Sequence, residues 1–116
     1  MQFMALIYNA EGSDASYEGG MPQIMADYNK FGEEARAAGV MVAGDALEAV
    51  STATSVRIRD GKTELTDGPF AETKEALGGY YLLECKDLDQ ALEWAAKIPT
   101  AKYGTIEVRP VMVFDN

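Results

Sequence analysis

Two stretches with helical periodicity are each flanked by apolar runs too short to be helices, and this alternation restricts the chain to few folds. In the first, Ile24, Tyr28, Phe31, Ala35 and Ala38 recur at spacings of four, three, four and three, which places them on one helix face. Pro22 precedes them where a first turn tolerates proline, and Gly39 follows as a C-terminal cap. In the second, Leu88, Ala91, Leu92 and Ala95 form the stripe. Asp87 is its N-cap with Gln90 in capping-box position, Glu93 and Lys97 are spaced to pair, and Pro99 ends it. Phe3–Tyr8 and Tyr80–Cys85 have the length and composition of buried strands. Thr105–Phe114 predicts a last strand with Ile106, Val108, Met112 and Phe114 on one face. Pro110 removes a ladder donor there, so that strand belongs at an edge.

The middle of the chain is antiparallel. Asp60-Gly61 is the preferred type I′ turn dipeptide, and it sets Val56 opposite Leu65 and Arg57 opposite Glu64. Val40–Ala43 and Leu47–Val50 read as short extended pieces divided by Gly44-Asp45; Ala71–Leu77 reads as a helical turn broken by Gly78-Gly79. The order matches a ferredoxin-like βαββαβ sandwich with an inserted β-hairpin, an α+β fold in one domain spanning residues 1–116. Both helices then cover one sheet face. The other face is left for solvent, a second subunit or a pocket.

Composition excludes several chemistries. Ten Lys and Arg against 19 Asp and Glu give a formal charge of −9, which disfavours nucleic acid and anionic membrane surfaces. The chain has no histidine and one cysteine, Cys85, so imidazole bases, His-containing triads and Cys-based zinc cages are out of reach. We expect no metal and, lacking a Gly-x-Gly-x-x-Gly or P-loop motif, no nucleotide cofactor. No signal peptide or membrane span is evident, so a cytoplasmic location is expected.

Asp67-Gly68-Pro69-Phe70-Ala71-Glu72-Thr73-Lys74-Glu75, then Leu77-Gly78-Gly79-Tyr80-Tyr81, resembles the signature of the DGPF group of the YCII-related family. Gly104–Val111, Leu88–Ala96 with Trp94, and Ala38-Gly39-Val40 with Gly44 fit the same pattern. The resemblance implies a ferredoxin-like protomer that pairs, sheet to sheet, into a dimeric α+β barrel. It also implies two functional readings. Some relatives look like enzymes with a His–Asp pair in a cleft, and others tend to be encoded beside extracytoplasmic-function sigma factors. Where DGPF-type relatives carry a histidine before the Gly-Thr-Ile-Glu-Val-Arg-Pro ending, this chain has Tyr103. Phenols near pKa 10 are poor bases.

From these residues the favoured expectation is a homodimer that binds or transforms a small polar or anionic molecule in a cleft. Asp67, Glu72, Lys74, Tyr80 and Arg109 are its candidate ligand-binding residues, and Asp67, Arg109 and Tyr103 its weaker catalytic candidates. Arg109 alternates with the core-facing residues of the last strand, so it points to the open sheet face. There it either anchors an anion or pairs with Glu107 or Glu84. Leu6, Tyr8, Tyr81 or their neighbours are expected to be covered only by a second subunit. The alternative is an accessory module acting with such a sigma factor through an acidic surface.

Overall fold

The computed structural model describes residues 1–114. Strand β1 (Gln2–Asn9) leads through a loop into helix α1 (Gly20–Ala37), then β2 (Met41–Ala46). The hairpin β3 (Thr54–Arg59) and β4 (Lys62–Asp67) follows, then β5 (Ala76–Glu84), α2 (Leu88–Ala95) and β6 (Thr105–Pro110). The main sheet is ordered β2-β5-β1-β6 with every pairing antiparallel, the ferredoxin-like arrangement. The hairpin forms a separate two-stranded sheet. Pro110 sits on the edge strand β6, as its missing N–H requires.

Alternation along β1 decides which face is core. Phe3, Ala5 and Ile7 are buried beneath the helices; Met4, Leu6 and Tyr8 lie on the open face and are half-buried. Phe31 of α1 is the hub: its ring lies 5.0 Å from Tyr81 and meets Trp94 of α2 edge-on at 6.2 Å. At the end of α1, the Val40 N–H bonds the Ala35 carbonyl and the Gly39 N–H that of Arg36. This is a Schellman closure, and it requires the left-handed φ of 71° that Gly39 adopts. Ala38 is the cap itself and is exposed.

Several local expectations are corrected by tertiary pairing. Gly44-Asp45 does not divide β2 but lies inside it; a bulge falls between Met41 and Ala43 instead. Leu47–Val50 is not a strand, and a 3-10 turn covers Val50–Thr52. Ala71–Leu77 forms no helical turn, because β5 begins at Ala76 and runs through Gly78-Gly79, where Gly79 pairs with Ile7 and Ala46. A Cβ at Gly79 would stand 2.9 Å from the Asp45 carbonyl oxygen, so the glycine admits a close strand rather than breaking one. That register turns Tyr81 toward the helices and Tyr80 toward the open face, reversing the expectation for Tyr81.

In α2, Ala91 and Ala95 are buried while Leu88 and Leu92 are about half exposed, since Trp94 rather than the leucines meets Phe31. The Asp87 carboxylate accepts the Gln90 N–H at 2.9 Å, and the Gln90 side chain accepts the Lys86 N–H. Lys97 lies over the Trp94 ring at 4.5 Å, which takes the place of the pair expected with Glu93. The hairpin has its expected register and turn, with φ 52° at Asp60 and 73° at Gly61. Arg57 and Glu64 are opposite one another without an ion pair; among the described residues the one ion pair joins the Met1 α-amino group to Glu84. Beyond Pro110 the chain leaves the sheet, so Met112 and Phe114 do not share the face of Ile106 and Val108. No helix of the described residues is long and apolar enough to cross a membrane.

Candidate functional site

At the end of the sheet where β1 stops and β5 starts, a cavity of about 520 Å³ opens between α1, β2, β5 and the 3-10 turn Pro99–Lys102. Gly44 makes part of the space. The Tyr81 ring lies where a Cβ on Gly44 would stand, so any side chain there would displace the ring. Pro99, which stops α2, carries Thr100 into the wall, where it is 3% exposed.

Three hydroxyls meet there. The Tyr28 hydroxyl bonds Thr100 Oγ1 at 2.5 Å, and Thr100 Oγ1 lies 3.3 Å from the Tyr103 hydroxyl. On the opposite wall Tyr80 donates to Asp45 Oδ2 at 2.7 Å. Arg36, at the end of α1, and Asp14, in the loop before it, complete a rim carrying both signs of charge. The loop is strapped down beside the cavity. Tyr17 donates to Asp27, which also accepts from Gln23, while the Tyr17 ring packs edge-on against Tyr103 and lies beneath Lys102.

Ionisation follows from these contacts. Burial pushes the Tyr28 phenol up to about 12, and the Asp27 hydrogen bond raises Tyr17 to about 12. The hydrogen bond to Asp45 raises Tyr80, and burial raises Tyr81. These phenols are therefore neutral donors at physiological pH. They are not bases. Among the described residues, no group of three or more Cys, Asp or Glu is placed to hold a metal ion.

Of the residues singled out from sequence, the fold brings Tyr80 and Tyr103 into this cavity. Asp67 ends β4, is exposed and pairs in register with Thr54. Its turn is held by other groups: Ser55 donates to the Gly68 carbonyl at 2.9 Å, and the Gly68 N–H bonds the Ala53 carbonyl. Glu72 and Lys74 are exposed in the loop before β5, where the neighbouring Glu75 accepts from Thr105. Arg109 stands exposed on the open face opposite Met4, in no ion pair with Glu107 or Glu84. None of these four lines the cavity. Thr100, Asp45, Asp14 and Arg36 carry no signal in the sequence that marks them for it. Tyr28 does, since a tyrosine on an apolar helix stripe must find its hydroxyl a partner once buried.

The chain is thus a ferredoxin-like α+β sandwich with a tyrosine-walled cavity at one end of its sheet. A family model for the YCII-related domain matches residues 1–115, and the chain belongs to that family. It is also 33% identical, over 117 residues, to an uncharacterised protein of Rhizobium meliloti (strain 1021), a match covering 98% of this chain and 94% of the relative.

Proposed function

We propose that the chain acts as a homodimer that binds a small polar or anionic molecule, with the tyrosine-walled cavity as the binding site. The observation that carries this reading is the convergence of the Tyr28, Thr100 and Tyr103 hydroxyls on one wall, facing a rim that holds Arg36 and Asp45. Neutral phenols and a threonine hydroxyl donate to ligand oxygens, Arg36 pairs with a carboxylate, and Asp45 and Asp14 accept from ligand hydroxyls. That complement suits hydroxy acids. Asp67, Glu72, Lys74 and Arg109 enter the proposal through the dimer, since Arg109 lies on the open face a second subunit would cover. A single buried thiol suits the cytoplasm.

Thermal unfolding with lactate, gluconate and citrate, and with glycerol as an uncharged control, tests the reading. A ligand at ten times its dissociation constant adds about 1.4 kcal/mol of stability. Gain with a hydroxy acid, lost in Thr100→Val and Tyr103→Phe, supports the cavity; loss in Asp67→Asn or Arg109→Ala extends the site to the dimer cleft. No gain with any of the three hydroxy acids beyond that with glycerol counts against the reading and favours the accessory-module alternative.

A further inference from the structure

One end of the molecule carries an unfilled apolar groove and the opposite end of the sheet an apolar segment without a seat. The groove, of about 580 Å³, runs between the base of the hairpin and the ends of β1 and β5; Tyr8, Leu47, Val50, Phe70 and Leu77 line it. Phe70 is 79% exposed there. The segment is Met112-Val113-Phe114, which follows β6 with exposures of 72%, 86% and 71%. Three consecutive large apolar side chains left this open mark a contact surface.

The segment cannot fill the groove of its own chain. The Val111 N–H bonds the Gln2 carbonyl at 2.9 Å, which pins the start of the segment beside the first residue of β1. The groove begins at Tyr8, six strand residues further on, or about 20 Å away. Met112–Phe114 fully extended reach about 11 Å. A second copy turned end for end removes the mismatch: with the β1 strands antiparallel across facing open sheets, each copy's segment comes to the end of the assembly that carries the other's groove. The contact then occurs twice about one two-fold axis and closes the assembly.

We propose that Met112-Val113-Phe114 of one subunit docks into the Tyr8–Leu47–Phe70–Leu77 groove of a second copy. This rests on the homodimer reading above, and the test separates the two. Val113→Cys and Ala49→Cys, each in a Cys85→Ala background, are mixed and oxidised; Ala49 lies in the groove wall. The expected result is a covalent dimer whose peptide map joins positions 113 and 49, together with at least a tenfold rise in the dimer dissociation constant for Phe114→Asp in the wild-type background. A dimer by light scattering with no 113–49 link and an unchanged constant for Phe114→Asp overturns the docking and leaves the dimer. A 113–49 link formed within one chain of a third variant that carries both Val113→Cys and Ala49→Cys also overturns it. A wild-type monomer at micromolar concentration overturns both. Should the cysteine variants fail to fold, the Phe114→Asp comparison decides alone.

Discussion

Thr100 shows how much one small polar residue carries in this molecule. It is buried, and its Oγ1 joins Tyr28 to Tyr103, so Thr100→Val leaves the half-buried Tyr28 hydroxyl without its partner. The expected cost is about 1–3 kcal/mol, more than for Tyr28→Phe, which removes the hydroxyl itself and leaves Thr100 Oγ1 beside Tyr103. Chemical denaturation of both variants checks the order. Equal losses would mean that the Tyr28 hydroxyl is satisfied elsewhere. Cys85 is the counterexample of a reactive group made inert. It is 3% exposed, and burial, reinforced by Glu84, raises its thiol above the ordinary value. Alkylation by iodoacetamide at neutral pH is expected only at the rate of unfolding, so modification of the folded chain within minutes would contradict its placement. The lack of histidine and the presence of a single thiol are both legible in the sequence alone, and both bear on chemistry directly.

At the scale of elements, the loop between β1 and α1 is held by a phenol–carboxylate contact whose pH dependence can be worked out. The Asp27 carboxyl is held below its ordinary value of 3.8, chiefly by the Tyr17 hydrogen bond. A depressed carboxylate stabilises the folded state above that ordinary value and loses the effect as pH falls through the lowered one. Tyr17 is raised from 10.0 to about 12, so its share is complete below 10 and fades as pH rises toward 12. The difference in melting temperature between wild type and Tyr17→Phe is therefore expected to be flat across neutral pH and to shrink at both extremes. A difference that varies between pH 5 and 9 would refute the contact. Helix ends are legible in the sequence because caps are local: Asp87 and Gly39 act within a few residues. The Asp60-Gly61 hairpin is legible for the same reason. Gly78-Gly79 reads as a break and is not one, because a glycine's meaning depends on what approaches it. Here that is β2, more than thirty residues earlier in the chain.

The whole molecule is thin. Its extents are 48 × 45 × 18 Å and its radius of gyration is 16.2 Å, against about 13 Å for a compact domain of this length. One sheet with helices on one side gives that thickness, and the hairpin adds Val56, Ile58 and Leu65, all more than 60% exposed. Burying such surface yields about 25 cal/mol per Å², so a second copy over the open face is the outcome expected of light scattering at micromolar concentration. Within the described residues, the sequence by itself determined the two helices, the hairpin, the strand order that places Pro110 at an edge and the family, because periodicity, caps and turn dipeptides act over a few residues. Only the tertiary structure decided which tyrosines meet. Tyr28, Tyr80, Thr100 and Tyr103 lie on three separate elements, and no local pattern records that a sheet register and a helix stop by proline bring them around one cavity. It also turned Tyr81 inward and Tyr80 outward, since the alternation along a strand acquires a direction only when its neighbours fix the register.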